Sequence, residues 1–345
     1  MCHNFNPMKS KAGATPPAAV RALLRHFRAQ RPLRGGSLLI TLFGDAIAPR
    51  GGAVTLGSLI RLAAPFGLTE RLVRTSVARL AREGWLAPRR SGRRSEYRLT
   101  RGGAERFTEA TRRIYGENPR VWDGTWTLVL LPAGTRRPSE MRRDLRWLGF
   151  GQLTPALFAH PACTLQQARR SLRTVAGARE GLLLHSASAD VRIDRKLAAH
   201  GWDLAEQARR YRRFIARFAA VAEASATGGV SAETAFVVRT LLIHEYRKIH
   251  LQDPLLPAAL LPRDWAGTSA YGLCRALYAR VFAAAESHLS RTARRLHRSL
   301  PPASCAAHAR FGGIAHYAAT QPIHAAAPAR ASRTVSRLRP SAVRR

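Results

Sequence analysis

Arginine is concentrated in one stretch of the chain, and its spacing there suits the binding of a polyanion. Between residues 71 and 101 there are ten arginines against two acidic residues. Four of these arginines flank the Ser91–Gly92 pair: Arg89, Arg90, Arg93 and Arg94. Like charges at short range repel one another, so we expect a strongly anionic partner such as the phosphates of double-stranded DNA to lie against them. The alternative is an arginine-rich hairpin that is simply solvated.

The segment before this pair has the pattern of a helix with an arginine-rich outer face. Thr69 is a suitable N-cap, and the apolar residues from Leu72 to Leu80 recur at helical spacing. The residues of this helix that we expect to contact DNA are Arg71, Arg74, Thr75, Ser76 and Arg79. In the major groove an arginine can donate two hydrogen bonds to O6 and N7 of one guanine, so this helix is the predicted reader of base sequence. The four arginines after it would then contact phosphates or the adjacent minor groove.

The elements around this helix are typical of a winged helix-turn-helix. Spacing predicts helices near 38–46, 56–65 and 69–84, short strands at 85–86 and 97–99, and a helix at about 103–115. Three helices followed by a two-stranded ribbon is the order of that fold. We therefore assign residues 30–117 to an N-terminal winged-helix DNA-binding domain.

Two further domains are predicted after residue 117, so the fold class is α+β and multidomain. Strands at 125–132, 151–160 and 181–189 alternate with helices at 138–148 and 164–175. This alternation indicates a ferredoxin-like α/β sandwich over residues 118–195, in which one expected strand is not clear. Residues 196–290 have three helical patterns and form a C-terminal helical domain. Residues 1–29 and the basic segment 291–345 are predicted to be disordered, since they offer little apolar surface to bury.

Composition supports an anionic partner but does not establish one. The net charge of the 345-residue chain is +36, yet only four of its 57 basic residues are lysine. Arginine is thus used throughout the chain, and its placement is more informative than its total. The four cysteines are far apart and form no CxxC, which indicates reduced thiols rather than a disulfide framework or a zinc site. Without a long apolar run or a signal-peptide pattern, we expect a cytoplasmic protein with no membrane partner.

A second candidate site lies in the sequence HEYRKIH, residues 244–250. His244 and His250 are six positions apart and so about 240° apart around a helix, which prevents joint chelation of one metal ion. The basic side of the helix could meet the phosphates of an anionic ligand, with an aromatic side chain against the ligand's aryl group. The predicted ligand-binding residues are His244, Tyr246, Arg247, Lys248 and Trp265. The alternative is a solvated face with an ion pair between Glu245 and Lys248.

Three segments of the chain resemble the PaaX-type regulators, which are repressors of phenylacetic acid degradation. Residues 37–86, which include Phe43-Gly44-Asp45 and the Leu72–Leu80 helix, are similar to the N-terminal domain of that family. The sequence WDGTWTLVLLP is similar to the start of its middle domain, and LLIHEYRKIHLQDPLLPAALLPRDW to its C-terminal domain. The likeness runs in matching order over about residues 36–290, and the basic segment after 290 lies outside it.

The resemblance implies a homodimer that represses a catabolic operon by binding a palindromic operator. It also implies release by an aryl-CoA thioester effector, which is phenylacetyl-CoA in the best-known members. The open alternative is a regulator of the same architecture with an unrelated effector or an activating role. A third reading is a ferredoxin-like metal-dependent nuclease, but the first strand of the middle domain ends LLPAGTRRP, without the carboxylate that metal-dependent phosphodiester cleavage needs. We find no cofactor motif or catalytic constellation and predict no enzyme activity, no metal and no cofactor.

Overall fold

The computed structural model describes residues 15–31, 35–116, 121–132, 138–173, 181–227 and 230–314. The helices are α1 (Ala18–Arg28), α2 (Gly35–Leu42), α3 (Leu56–Ala63), α4 (Glu70–Arg82), α5 (Arg101–Tyr115), α6 (Pro138–Trp147), α7 (Leu165–Leu172), α8 (Val191–Gly201), α9 (Leu204–Thr227), α10 (Ala232–His250), α11 (Ala266–Thr292) and the short α12 (Cys305–His308). The strands are β1 (Ala53–Thr55), β2 (Leu86–Ser91), β3 (Arg94–Leu99), β4 (Thr125–Leu130), β5 (Gly151–Gln152), β6 (Leu157–His160) and β7 (Leu182–Ala187).

Helix α1 is an element that the sequence analysis missed. Its apolar residues Val20, Leu23 and Phe27 are buried, so one face of the helix packs on the core. The ring of Phe27 meets that of Phe66 edge to face, with 6.1 Å between the centroids. The prediction of a disordered segment over residues 1–29 is therefore wrong for residues 18–28. Residues 1–14 lie outside the described part of the chain.

Helices α2, α3 and α4 pack beside a three-stranded sheet of order β1-β3-β2. Hydroxyl side chains begin two of these helices: Thr55 accepts a hydrogen bond from the amide of Ser58, and Thr69 accepts one from the amide of Leu72. Strands β2 and β3 are antiparallel and longer than predicted, because Ser91 pairs directly with Arg94. The connecting turn is therefore Gly92–Arg93 rather than Ser91–Gly92. Gly92 adopts φ +55°, a conformation that glycine tolerates best.

The Phe43–Gly44–Asp45 segment continues helix α2 instead of forming a free turn. Residues Phe43–Ile47 are a π-helical turn, a geometry that is often found at functional or strained positions of helices. The turn directs Asp45 into the interior, where only 3% of the residue is exposed. Such a charge requires compensating partners, and these come from elements far away in the chain.

The central sheet has the order β5-β6-β4-β7, and all of its pairings are antiparallel. With α6 and α7 its elements follow the β-α-β-β-α-β order of ferredoxin-like domains. The strand that was not clear from the sequence is β5, which has two residues and pairs with β6. We had expected residues 151–160 to be a single strand, but the chain folds back between Gln152 and Leu157 because Leu153 and Thr154 form a tight turn with Leu157.

The C-terminal region is helical, as predicted, and is built around α9, α10 and α11. Helix α10 lies at the centre, and buried residues occur around nearly its whole circumference. One continuous core joins this region to the N-terminal helices, since the buried residues of both belong to one cluster. Among the described residues, no helix combines the length and apolar character that crossing a bilayer requires.

The chain after α11 is packed against the body of the protein. We call residues 294–314 the C-terminal extension. The amide of Thr55 donates a hydrogen bond to the carbonyl oxygen of Arg294 at 3.0 Å. The amide of Ser304 donates one to the carbonyl oxygen of Pro49, also at 3.0 Å. Leu296 and Leu300 are buried. The predicted disorder after residue 290 is therefore wrong as far as residue 314, because the extension does bury apolar side chains; residues 315–345 lie outside the described part of the chain.

Candidate nucleic-acid interface

One face of helix α4 presents an exposed set of arginines to solvent. The exposed residues on this helix include Arg71, Arg74, Thr75, Arg79 and Arg82. Val73, Val77 and Leu80 on the opposite face are buried and hold the helix against the core. The exposed face is rigidly supported and positively charged, which suits insertion into a groove of DNA.

The two central arginines of this face form weak ion pairs within the helix. Nη2 of Arg74 lies 2.6 Å from Oε1 of Glu70, and Nε of Arg79 lies 3.6 Å from Oε1 of Glu83. All four side chains are about half exposed or more. Exposed ion pairs contribute at most about 1 kcal/mol, so a phosphate or a base can replace the glutamates at low cost.

The hydroxyl residues of α4 differ in position. Thr75 is exposed, and its hydroxyl donates to the carbonyl oxygens of Arg71 and Leu72, which leaves its lone pairs available. Ser76, which we expected on the outer face, is only 6% exposed and lies against the backbone of Gly35 at the start of α2. A small side chain is needed there because the two helices approach closely, and helical spacing alone did not reveal this contact.

The ribbon formed by β2 and β3 carries the other predicted arginines. Arg89, Arg90, Arg93 and Arg94, which we call the ribbon arginines, are all exposed. Arg89 pairs with Glu96 across the ribbon, and Ser91 pairs with Arg94. Since residues directly opposite share a face and side chains alternate along a strand, Arg89, Arg94 and Arg98 lie on one face together with Glu96. Glu96 is 2% exposed, so little negative charge reaches the surface of this face.

A buried ionic network surrounds Asp45, and no motif in the sequence indicates it. The carboxylate of Asp45 accepts hydrogen bonds from the Tyr115 hydroxyl at 2.7 Å and the Tyr278 hydroxyl at 2.8 Å. It also pairs with Arg239 at 2.7 Å and Arg310 at 2.9 Å. Burial alone would raise the pKa of Asp45, but the two arginines and then the tyrosine hydroxyls outweigh it and lower that pKa.

Glu286 on α11 extends this network towards the N-terminal helices. It pairs with Nη1 of Arg239 at 2.5 Å and also with Arg50. Burial, together with the nearby charge of Arg239, lowers the pKa of Arg50 to about 10. The network thus ties the arginine-bearing N-terminal region to α5, α10, α11 and the C-terminal extension. The ion pairs of Asp45 join it to Arg239 and Arg310, which lie far from it in the sequence, so no local motif indicates the network.

The residues predicted to bind a ligand lie mostly in the interior, and the expected basic face on α10 is only partly exposed. His244 is buried, and Nδ1 of its ring lies 3.0 Å from the Thr41 hydroxyl. Arg247 is half-buried and donates to the Thr41 hydroxyl at 2.8 Å and to Ser37 at 2.7 Å. Burial, then the charges of Arg247 and Lys248, lowers the pKa of His244 well below its usual value. The expected face is partly covered because α2 packs on it.

The aromatic members of that predicted site are core residues. Tyr246 is fully buried and stacks on His250 at 4.8 Å between ring centroids. Trp265 is 9% exposed and packs edge-on against Tyr211. Lys248 pairs with Glu245 at 3.2 Å, as the alternative interpretation had it. These contacts explain the five side chains as parts of the fold.

A cavity of about 1070 Å³ opens elsewhere, between α5, the central sheet and the C-terminal helices. Its wall includes the arginines Arg112, Arg113, Arg143 and Arg146, the histidines His160 and His200, and the rings of Phe150 and Trp202. Two of these arginines form ion pairs with acidic residues close to them in the sequence: Arg112 with Glu109, and Arg143 with Asp144. The cavity is large enough to hold a bulky small-molecule ligand. In the described part of the chain, no three His, Cys, Asp or Glu residues gather as metal ligands would.

Three stretches of the chain match the sequence models of one protein family. Residues 34–103 match the PaaX-like protein family, residues 119–198 its central Cas2-like domain, and residues 202–291 the PaaX-like protein C-terminal domain. These matches end where the C-terminal extension begins.

The chain is also similar to individual proteins. The chain is 37% identical over 291 residues to the transcriptional repressor PaaX of Escherichia coli (strain K12), which covers 82% of this chain and 92% of the relative. The chain is also similar to the solved structure of an uncharacterized Mycobacterium tuberculosis protein, Rv0674, with 23% sequence identity and a TM-score of 0.47. The alignment covers 71% of this chain and 96% of the Rv0674 chain. The three family matches in order and the identity to a repressor over most of both chains show that this protein belongs to the PaaX family of transcriptional regulators.

Proposed function

We propose that the protein is a winged-helix repressor of an aromatic-acid catabolic operon of the phenylacetate type. The observation that carries the proposal is the exposed arginine face of α4 next to the ribbon arginines. In this proposal α4 reads bases in the major groove through Arg74, Thr75 and Arg79, with Arg71 at its edge. The ribbon contacts the flanking phosphates. Ser76 has a packing role instead.

The operator is proposed to be palindromic and bound by a homodimer. A symmetric dimer presents two identical reading helices, so the half-sites of its operator mirror its two-fold axis. The Escherichia coli relative is a repressor by name, which supports repression over activation. The architecture is equally compatible with an activator, and a reporter fused to the upstream promoter separates the two: deletion of the regulator raises expression from a repressed promoter and lowers it from an activated one.

The effector is proposed to be an acyl-CoA thioester, with phenylacetyl-CoA as the first candidate, held in the cavity rather than on α10. The wall of the cavity combines arginines, which suit phosphates, with the rings of Phe150 and Trp202, which suit an aryl or adenine group. Because α5, the central sheet and the C-terminal helices all contribute to the wall, a ligand there can favour one relative placement of these elements over another. This is how occupancy would alter the spacing of the two reading helices.

The test is binding of the purified full-length protein to its own upstream intergenic DNA at fixed salt. Fluorescence anisotropy is measured with labelled upstream and random duplexes, each with and without phenylacetyl-CoA. Tight binding that the thioester releases, while free phenylacetate and free coenzyme A do not, supports the whole proposal. Tight, specific binding that ignores the thioester contradicts the effector and favours a regulator of the same architecture with another ligand. No preference over random DNA contradicts sequence-specific regulation.

A further inference from the structure

The C-terminal extension lies on the outer face of the arginine ribbon. The amide of Leu296 donates to Oε1 of Glu96 at 3.0 Å, and Nε of Arg295 lies 3.6 Å from the same oxygen. Nε2 of His297 lies 3.4 Å from the hydroxyl oxygen of Ser91. Glu96 and Ser91 belong to the face of the ribbon that also carries Arg89 and Arg94. The extension and these arginines are therefore direct neighbours.

The extension is held in place by the fold. The amide of Arg294 donates to the Ser58 hydroxyl at 2.9 Å, and the amide of Arg295 donates to the carbonyl oxygen of Arg298 at 2.9 Å, which closes a tight turn. Leu296 within that turn and Leu300 after it are both buried. Ordering a basic segment costs conformational entropy, and here buried leucines and backbone hydrogen bonds offset that cost. The cationic side chains of the turn are thus presented at a defined position.

The charges at this position have the same sign as those of the ribbon. Arg294 and Arg298 are exposed, and they stand beside a surface that already carries the ribbon arginines and Arg98. The acid on this face, Glu96, is buried beneath the extension. Accumulated positive charge of this kind is unfavourable in the free protein and favourable against a row of phosphates.

We propose that the C-terminal extension is a second DNA-contacting element, which adds Arg294 and Arg298 to the phosphate contacts of the ribbon. The partner is the phosphate backbone of the duplex next to the base-reading helix, and the contact carries no base preference. The family matches end at residue 291, before these arginines. The inference rests on the proposed DNA binding by α4 and the ribbon.

The experiment compares the salt dependence of DNA binding in the full-length wild type and three variants. The first is the double variant Arg294→Ala, Arg298→Ala. The second is Arg298→Ala alone, because the guanidinium of Arg294 also binds the carbonyl oxygen of Ser290 at the end of α11 and its loss could disturb folding. The third, a charge-matched control, is Arg192→Ala, Arg209→Ala, which removes two exposed arginines from α8 and α9. Thermal unfolding shows that each variant is folded.

Each lost phosphate contact reduces the slope of log K against log salt concentration by about 0.9. We expect a reduction of about 1.8 for the double variant and about 0.9 for Arg298→Ala, equal on upstream and random DNA, with no change for the control. If the slope of Arg298→Ala and of the double variant equals that of the wild type while substitution of the ribbon arginines reduces it, the extension does not contact DNA although the proposed function stands. Tighter binding by the double variant also overturns the inference, because the extension would then shield the ribbon. If the wild type itself shows no salt-dependent binding, the proposed function fails together with the inference.

Discussion

Arg310 is hydrogen bonded to Asp45 although 265 positions separate the two residues: Nη1 of the arginine lies 2.9 Å from Oδ1 of the carboxylate. Both residues are buried. The pair fastens the C-terminal extension to the π-helical turn that follows α2, directly behind the elements that carry the proposed DNA-binding surface. An aspartate inside a predicted helix is thus the point where the N-terminal and C-terminal regions of the chain are joined.

Asp45→Asn should lower the free energy of unfolding by about 3–5 kcal/mol, because it leaves the buried guanidinium group of Arg310 without its counter-charge and removes one of the two carboxylates that pair with Arg239. Urea denaturation followed by circular dichroism measures this. Arg101→Ala is the control, since it removes an exposed arginine that pairs with Glu105 at i,i+4, and should change stability by less than about 0.5 kcal/mol. A loss for Asp45→Asn no greater than that of the control would show that the network does not hold the two regions together.

Stability should depend on the protonation of His244. Burial, then the charges of Arg247 and Lys248, lowers the pKa of His244 below its ordinary value of 6.5. The unfolded chain therefore takes up the proton more readily than the folded one, so the stability that neutral His244 provides is present above about pH 6.5 and lost as the pH falls below it.

The variant His244→Gln cannot be protonated and isolates this effect. We expect the difference in unfolding free energy between wild type and variant to shrink between pH 7.5 and pH 5.5, as urea titrations at several pH values would show. Leu23→Ala removes buried apolar surface without a titrating group, so its difference from wild type should stay constant over the same range. A constant difference for His244→Gln as well would mean that the ring is protonated without cost in the folded protein.

Arg74→Ala should weaken binding to the operator by about 1–3 kcal/mol and relax the sequence preference, because a bidentate contact to guanine is lost. Anisotropy titrations on upstream and random duplexes measure both effects. Arg209→Ala is the matched control, since Arg209 also pairs with a glutamate on its own helix and is similarly exposed. An equal loss on upstream and random DNA for Arg74→Ala would leave the residue as a phosphate contact and contradict base reading.

Replacement of all four ribbon arginines by alanine should make binding less sensitive to salt. If each contacts one phosphate, the slope of log K against log salt concentration falls by about 3.6, and it falls by the same amount on any duplex. The four side chains are exposed, so the variant should fold normally. A slope equal to that of the wild type would show that the ribbon stays clear of DNA.

Arg143→Ala should raise the concentration of phenylacetyl-CoA that releases the protein from DNA, with operator affinity in its absence unchanged. Arg143 lies in the wall of the cavity and is 74% exposed, where it is available to a phosphate. Arg192→Ala is the control, because Arg192 also pairs with a nearby aspartate but is outside the cavity wall. Release that is unchanged in Arg143→Ala and altered in the control would place the effector elsewhere.

Local patterns in the sequence were sufficient to predict several elements. The apolar spacing and the Thr69 cap of α4 gave its position, because capping and helical periodicity depend only on neighbouring residues. The exposure of Arg74 and of the ribbon arginines followed from the same reasoning. The β-α-β-β-α-β order was almost complete, and the strand that was missed has two residues, too few to show a period.

Tertiary packing decided what local patterns leave open. The spacing on α10 placed His244, Arg247 and Lys248 on one side of the helix, but it could not show that α2 packs on that side and binds Arg247 through Ser37 and Thr41. In the same way Ser76 is inaccessible only because Gly35 packs against it.

The sequence by itself determined the family resemblance, most of the helices and the arginine-rich surface, because these depend on residue types and short-range spacing. The structure alone decided that Asp45 is joined to Arg310, that the cavity lies beside Trp202 rather than on α10, and that the basic segment after α11 lies on the ribbon. Each of these is a contact between residues far apart in the chain. Such contacts form through collective packing of the whole core, and no short window of sequence contains both partners.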